Sequence, residues 1–187
     1  NLNGTNLSRI TDNSENYFSN PELFQNGTKL IFSKEGYISP DKYGEIYSSN
    51  IDGTNKVKLT NFPSEGSCYT ATVNPNNTLI AYSCRINSIS DQIYTMSLDG
   101  SNKQILTTNN TLYKSNPKYS NNGNKIVFNG SVATTFNKHS EIFIMDSNGS
   151  NITQLTNYST NGTLGTASRE PIFSNDGTQI YFVSDES

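Results

Sequence analysis

The feature that most constrains the fold of this chain is an internal repeat. The pattern Gly-[Thr/Ser]-Asn-x-x-x-[Ile/Leu]-Thr begins at Gly4, Gly53, Gly100 and Gly149, so its four copies are spaced 49, 47 and 49 residues apart. Repetition at a fixed period of this length is typical of folds in which one small supersecondary unit cannot bury its apolar faces alone and therefore stacks on its neighbours.

A second pattern, Pro-x-x-x-x-[Asn/Asp]-Gly-x-x-[Ile/Leu]-x-Phe, keeps step with the first. It covers residues 21–32, 117–128 and 171–182. A degenerate copy at 71–82 has Ala71 in place of the proline and Asn77 in place of the glycine. Because asparagine adopts the left-handed conformation more readily than most other residues, we expect this copy to keep the same turn.

A third element precedes each of the later copies of the glycine pattern. Apolar stretches that start at Glu45, Gln92 and Glu141 each end at an Asp-Gly or Asn-Gly dipeptide. These dipeptides between two strand-forming segments are strong hairpin signals, because glycine accepts a positive φ at little cost.

The three elements together predict four short strands per unit, joined mostly by hairpins. In the third copy we expect them near residues 116–120, 124–130, 140–146 and 151–156. Four antiparallel strands per repeat at this period are typical of a propeller blade. The predicted fold is therefore all-β, a β-propeller made of four-stranded antiparallel blades with about four repeats in the sequence. A β-solenoid would need far shorter repeats, and a two-sheet sandwich would not repeat its turn chemistry four times.

The residues at 171–182, Pro-x-aromatic-Ser-x-Asp-Gly-x-x-Ile-x-Phe, resemble the TolB-like (WD-repeat-like) propeller repeat, as do the Glu-Ile-Tyr and Asp-Gly-Ser-Asn-x-x-x-Leu-Thr strings of the other copies. The resemblance covers nearly the whole chain. Most repeats of that family read Ser-Pro-Asp-Gly at the turn, whereas this chain has Asn-rich turns of the same chemistry. The resemblance implies a propeller fold, and it implies an interaction scaffold, a domain beside a hydrolase, or a surface protein.

The repeat spacing also divides the chain into blades. Residues 1–187 are predicted to form one TolB-like propeller segment, with three whole blades and one blade split between the two ends of the sequence. The whole blades are expected at about 17–60, 68–107 and 114–156, and the split blade at 1–12 plus 170–187. Because TolB-like propellers usually have six or more blades, the resemblance implies a piece of a longer chain. The alternative is a four-bladed ring whose missing strand comes from residues outside this sequence.

The charge and the hydropathy of the chain argue against a nucleic-acid partner and against a membrane span. The net charge is −3, and the basic and acidic residues are well mixed, so no basic stripe is present to neutralise nucleic-acid phosphates. No apolar run approaches the ~18 residues of a transmembrane helix, so no membrane span is predicted. The resemblance places such a chain outside the bacterial cytoplasm, in the periplasm or at the cell surface, and any export signal would precede Asn1.

The two cysteines of the chain are candidates for a disulfide. If Val73 and Leu79 are antiparallel partners across the turn at residues 74–78, then Cys68 and Cys84 lie opposite each other on the same hairpin. A cross-strand disulfide would indicate an oxidising compartment. The alternative is a pair of buried free thiols, and a slip of one residue would put the two side chains on opposite faces.

The sequence offers little catalytic chemistry. His139 is the only histidine, and no Gly-x-Ser-x-Gly elbow is present, so no nucleophile–base pair is predicted. The chain also lacks a His/Cys cluster or a calcium-loop pattern, so no metal, cofactor or catalytic residue is assigned. The carboxylates of Asp52, Asp99 and Asp176 each precede a glycine in a turn, where we expect a structural role.

The longest and least repetitive segments emerge on one face of a propeller, and specificity usually lies in such loops. They are residues 34–43, 61–67, 85–90, 108–115, 130–140 and 157–170. Aromatic and charged side chains in or beside them are candidate contacts for a ligand. The candidates are Tyr37, Tyr43, Arg85, Tyr113, Lys114, His139, Arg169 and Glu170.

The sequence thus predicts a non-catalytic, extracytoplasmic propeller scaffold that binds a protein or a glycan through its loop-rich face. One alternative is a propeller that accompanies a hydrolase module outside this sequence. Another is a lyase-type propeller that acts on polysaccharide, although such chemistry normally uses several histidines or metal ligands.

Overall fold

In a computed structural model of the chain, described residues form four antiparallel sheets and no helix. The described residues are 5, 8–11, 16–36, 43–61, 66–85, 90–108, 112–133, 138–157 and 167–185. The first sheet contains β1 (Asn16–Phe24), β2 (Lys29–Gly36), β3 (Glu45–Asn50) and β4 (Val57–Lys58). The second contains β5 (Ser67–Val73), β6 (Leu79–Arg85), β7 (Asp91–Ser97) and β8 (Gln104–Ile105). The third contains β9 (Tyr113–Tyr119), β10 (Lys125–Ala133), β11 (Lys138–Asp146) and β12 (Thr153–Gln154). The fourth contains β13 (Ser168–Phe173) and β14 (Ile180–Ser184).

Strand order follows chain order in every sheet, as expected for blades built from consecutive hairpins. The turn between the first and second strands has its glycine at positive φ, +78° at Gly27, +73° at Gly123 and +72° at Gly177. In the degenerate copy Asn77 takes this place with a φ of 53°. Four-stranded antiparallel blades are therefore confirmed.

The strands of the third sheet are longer than predicted. β10 and β11 continue past the expected ends, and Val132 pairs with His139 inside the segment 130–140 that was predicted to be a loop. β9 likewise begins at Tyr113, inside the predicted loop 108–115. These loop boundaries were wrong. Valine, as a β-branched residue type, favours strands. The repeat pattern, however, gave no signal that strand pairing would continue as far as Val132.

The sheets stack face to face, and the apolar core lies between them. Ile31 of the first sheet packs in one cluster with Ile80 and Tyr82 of the second. On the opposite face of the second sheet, Ala81 packs in another cluster with Phe128 of the third. All five side chains except Phe128 and Tyr82 are aliphatic, and all are buried. Full burial of one large apolar side chain contributes about 1.5–3 kcal/mol, so each sheet depends on its neighbours for stability.

A threonine at the end of the repeat makes equivalent hydrogen bonds in successive sheets. The hydroxyl of Thr60 accepts a hydrogen bond from the backbone N–H of Ile46 at 2.9 Å, and it donates to the carboxylate of Glu45. Thr107 makes the equivalent pair of bonds in the second sheet, with the amide oxygen of Gln92 as its acceptor at 2.8 Å. This bridge explains why the repeat has Glu or Gln at the start of its third strand and Thr at its end.

The first strands of the sheets lie beside one another, and each has a β-bulge. The bulge residues Asn20, Thr70, Asn116 and Glu170 have φ values of 52°, 42°, 52° and 54°. A non-glycine residue at positive φ costs about 1–2 kcal/mol and needs support from its surroundings. The preceding sheet provides it: Ser33 accepts the N–H of Thr70 at 3.1 Å, as other side chains do for the bulges that follow.

Glu22 ties three sheets together near the line on which these first strands converge. One of its carboxylate oxygens accepts hydrogen bonds from the hydroxyl of Thr72 at 3.0 Å and the N–H of Val73 at 2.9 Å. The other accepts a charge-assisted bond from the ammonium of Lys118 at 2.6 Å. Because Lys118 belongs to the third sheet, the contact joins residues 96 positions apart.

Cys68 and Cys84 are direct partners on β5 and β6 and are joined by a disulfide, with a Cα–Cα distance of 4.0 Å. The premise used to place them was wrong by one residue, because Val73 pairs with Ile80 rather than Leu79. The bulge at Thr70 shifts the register back by one residue and restores the cysteine pairing.

A third kind of contact between sheets involves the turn glycines. A Cβ atom at Gly100 would lie 2.7 Å from the carbonyl oxygen of Leu59, and one at Gly149 would lie 2.6 Å from that of Leu106. The turn before the fourth strand of each sheet therefore lies against the fourth strand of the preceding sheet, so closely that a side chain does not fit. Ile10 contacts Gly53 in the same way.

The candidate ligand-binding face

Arg85 and Tyr113 form the best-defined group among the predicted ligand-binding residues. Arg85 ends β6 and pairs across the hairpin with Asp91, whose carboxylate accepts hydrogen bonds from Nε at 2.8 Å and from Nη2 at 3.0 Å. The guanidinium lies 5.3 Å from the ring centroid of Tyr113, the first residue of β9 in the next sheet. This bidentate bond raises the pKa of Arg85 above its usual value. The pair therefore presents a fixed cation on an aromatic ring, and the Arg85 side chain is 39% exposed.

The disulfide lies in the next rung of the same sheet. Cys68 and Cys84 pair beside Ser67 and Arg85, and both sulfurs are completely buried. A covalent link at this position restrains the ends of β5 and β6, from which the neighbouring loops leave. Tyr69, one residue further along β5, is half-buried, and burial raises the pKa of its hydroxyl.

Lys114 has a different environment from the one predicted for it. It lies within β9 at 2% exposure, and its ammonium donates to the amide oxygen of Gln92 at 3.1 Å and to the carbonyl of Leu112 at 3.0 Å. Burial lowers its pKa to about 8. Because its ammonium is directed into the structure, Lys114 makes hydrogen bonds within the fold and does not form part of the exposed surface.

Arg169 and Glu170 have partners and surroundings different from those of Arg85 and Tyr113. Arg169 pairs with Asp185 at the end of the fourth sheet. Glu170 is the bulge residue of β13 and lines a cleft of about 520 Å³ together with Asn20, Asn116 and Lys118. The apolar residues that line the same cleft belong to β13 and β14.

The remaining predicted site residues are Tyr43, Tyr37 and His139. Tyr43 lies two residues before β3 and is half-buried. Tyr37 is outside the described residues, and only the backbone of His139 is described, paired with Val132 in β11. Among the residues described, no three His, Cys, Asp or Glu side chains are grouped to hold a metal ion, and no helix could span a membrane.

The turn carboxylates have structural partners, as the sequence suggested. The pKa of Asp176 is lowered to about 2, chiefly by a hydrogen bond from the hydroxyl of Ser174 and also by bonds from Thr178. Hydrogen bonds from Thr54 and Ser101 lower the pKa values of Asp52 and Asp99 in the same way.

Two residues of the site were missed in the sequence analysis. Asp91 orients Arg85, and Gln92 accepts the ammonium of Lys114. Asp91 could have been found from hairpin register: if Tyr82 and Tyr94 are paired, then Arg85 and Asp91 are also paired, three residues further on.

The same architecture occurs in known proteins. A putative TolB from Agrobacterium tumefaciens superposes on 95% of this chain with a TM-score of 0.72 at 22% identity. TolB from Acinetobacter baumannii superposes on 85% with a TM-score of 0.64 at 18% identity. The fold is that of a TolB-like β-propeller. Oligogalacturonate lyase from Vibrio parahaemolyticus shares it as well, over 90% of this chain with a TM-score of 0.66 at 17% identity.

This TolB-like propeller spans 61%, 36% and 46% of the lengths of those three chains. No protein-family model matches its sequence, and no curated protein does. Because TolB proteins and a lyase share the fold, the propeller is a scaffold that accommodates both enzymes and other proteins.

Proposed function

We propose that this propeller is a non-catalytic, extracytoplasmic scaffold that binds a protein or a glycan through its loop-rich face. The observation that carries the proposal is the Arg85–Tyr113 pair. Asp91 uses two of the five N–H donors of the guanidinium, which leaves the others for a ligand. A rigid aromatic–arginine pair loses little conformational freedom on binding, and such pairs are common anchors at recognition surfaces.

Its position on the propeller supports the same proposal. Arg85 ends β6, Asp91 begins β7 and Tyr113 begins β9, so the pair lies at strand ends that adjoin the predicted loops 85–90 and 108–115. The disulfide between Cys68 and Cys84 supports an oxidising compartment, because such bonds persist outside the cytoplasm.

The test compares the native chain with Arg85→Ala and Tyr113→Ala on a glycan array and in affinity capture from a bacterial cell-envelope extract. We expect a partner that the native chain retains and that both variants lose by at least about tenfold, or ~1.4 kcal/mol. Lys125→Ala is the matched control, since Lys125 forms a surface ion pair with Asp146 within the third sheet and begins β10, at the other end of that strand from Ser131, the partner of Tyr113.

Retention of the same partner by both site variants would remove the Arg85–Tyr113 pair from the proposal. Release of unsaturated sugars from a polysaccharide by the purified chain would overturn the non-catalytic assignment and favour the lyase alternative. A hydrolase module encoded in the same gene would favour the remaining alternative, a propeller that accompanies an enzyme.

A further inference from the structure

Six Asn-Gly dipeptides occur in the sequence, and four of them belong to described strands or turns. These four begin at Asn26, Asn122, Asn129 and Asn148. An asparagine before a glycine can lose its side-chain amide without an enzyme, because the backbone nitrogen of the glycine is not shielded by a Cβ atom and attacks the side-chain carbonyl carbon. The attack requires a side chain that rotates and a backbone that opens, so the four sites differ in reactivity according to their surroundings.

Hydrogen bonds hold the side chains of two asparagines in the later hairpin turns. The Oδ1 atom of Asn122 accepts the hydroxyl of Ser120 at 2.8 Å and the N–H of Asn124 at 3.0 Å. The Oδ1 atom of Asn148 accepts the N–H of Ser150 at 3.0 Å and its hydroxyl at 2.7 Å. Rotation of either side chain towards the following glycine breaks both of its bonds, so the attack is opposed at these two sites.

Asn129 is restrained by burial within a strand. It is 3% exposed in β10, and its amide donates a hydrogen bond to the carbonyl oxygen of Ser168 at 2.7 Å. A Cβ atom at Gly130 would lie 2.5 Å from the ring of Phe143, so the backbone there is closely packed. Neither a cyclic intermediate nor the water that opens it has room at this position.

Asn26 has none of these restraints. Its side chain is exposed and makes no hydrogen bond with a described residue. Among the described residues, a Cβ atom at Gly27 would meet nothing within 4 Å, whereas one at Gly149 would lie 2.6 Å from the carbonyl oxygen of Leu106. The backbone at Gly27 is therefore surrounded by open space, which a cyclic intermediate and an attacking water both need.

The backbone of the turn at Asn26 is also less favourable than that of the other two turns. Gln25 and Asn26 have φ values of 48° and 54°, so two successive non-glycine residues are in the left-handed region. The asparagines of the other two turns are not at positive φ. Because a left-handed conformation is unfavourable for most residues with a Cβ atom, less free energy is needed to open this turn. Opening releases the N–H of Gly27 from the carbonyl oxygen of Phe24, 3.1 Å away in the closed turn.

We infer that Asn26 is a modification site, at which the folded chain deamidates selectively through attack by the backbone nitrogen of Gly27. This nitrogen gives its proton to a solvent base and forms a bond to Cγ of Asn26. The Cγ–Nδ2 bond breaks, and the leaving NH₂ group takes up a proton and departs as ammonia. Water then adds to either carbonyl of the cyclic imide. The ring opens to aspartate when the new Cγ–N bond breaks, and to isoaspartate when the original peptide C–N bond breaks.

The product changes a contact between two sheets. The N–H of Gln25, the residue before Asn26, donates to Oδ1 of Asn77 at 2.8 Å, and this bond joins the turns of the first and second sheets. Deamidation places a negative charge beside the bond, and isoaspartate also lengthens the backbone there by a methylene group. The modified chain therefore differs from the newly made chain at the junction of two blades.

The test is a time course of the purified chain at mildly alkaline pH, followed by digestion at acidic pH and peptide mass spectrometry. Replacement of NH₂ by OH raises the mass of a peptide, so each Asn-Gly site is followed separately, and electron-transfer fragmentation distinguishes isoaspartate from aspartate. We expect deamidation at Asn26 to be at least about tenfold faster than at Asn122 or Asn148. In urea, where the fold no longer restrains any site, we expect the rates at the three sites to become similar.

Asn26→Gln is the matched control. It keeps a side-chain amide, but the longer side chain would have to close a larger ring, which forms more slowly. We expect no deamidation at position 26 of this variant over the same time course, and circular dichroism checks that it is folded. The inference is overturned if Asn26 of the folded chain reacts no faster than Asn122 and Asn148, or if the same ranking persists in urea. Deamidation at position 26 of the variant at the native rate would also overturn it, because attack by the Gly27 nitrogen would then not be the route.

Discussion

Replacing Gly100 with alanine isolates the contact between successive sheets. The substitution has two costs: alanine is strained at a φ of +84°, and its Cβ atom would lie 2.7 Å from the carbonyl oxygen of Leu59. Left-handed backbone costs a non-glycine residue about 1–2 kcal/mol. Forcing an extra methyl into a packed interface costs about 1–3 kcal/mol. We therefore expect Gly100→Ala to lower the free energy of unfolding by about 2–5 kcal/mol.

Gly27→Ala is the matched control. Gly27 also follows an asparagine or aspartate in a hairpin turn and has a φ of +78°, but a Cβ atom there would meet nothing within 4 Å. Only the backbone strain applies, so we expect a loss of about 1–2 kcal/mol. The assay is equilibrium urea unfolding of the native chain and both variants with the disulfide intact, under conditions where their m-values agree. Equal losses at the two positions would refute the close contact between the sheets.

Three further predictions concern single interactions. Glu22→Ala should cost about 2–3 kcal/mol in urea unfolding, because the carboxylate is only partly exposed and accepts three hydrogen bonds, and a double-mutant cycle with Lys118→Met should show positive coupling. Reduction of the Cys68–Cys84 disulfide, whose partners are 16 residues apart, should lower stability by about 3 kcal/mol, and an unchanged unfolding midpoint in reductant would contradict this. Lys114 has its pKa lowered from 10.5 to about 8, so the unfolded chain binds more protons between these pH values and stability should rise with pH across that window. In Lys114→Met this contribution to the pH dependence should be absent.

Strand number, strand order and turn position could be predicted because they depend on local chemistry. An Asx-Gly turn needs only its own residues to accept a positive φ. The hairpins of each repeat can therefore be predicted from that repeat alone. Pairing register could not be predicted in this way. The bulge at Thr70 depends on Ser33 of the preceding sheet, and it shifts the register by one residue between the Val73–Ile80 pair and the Cys68–Cys84 pair.

The candidate site was predicted only in part, for a related reason. Arg85 and Tyr113 were both named from composition and position, but their contact is between sheets and no local pattern indicates it. Lys114 was expected in a loop and lies in β9, because that strand begins earlier than its turn residues suggest. Its burial beside Gln92 depends on the packing of the second sheet against the third.

The central claim is that the sheets stack around a common line on which their first strands converge. Zero-length carbodiimide cross-linking followed by peptide mass spectrometry tests it directly, since this reagent joins a carboxylate to an amine only when the two are in contact. The structure predicts a link between Glu22 and Lys118, whose charged atoms are 2.6 Å apart. Lys125 and Asp146, also 2.6 Å apart but within one sheet, provide the positive control. A link at the control pair with none between Glu22 and Lys118 would contradict this arrangement of the blades.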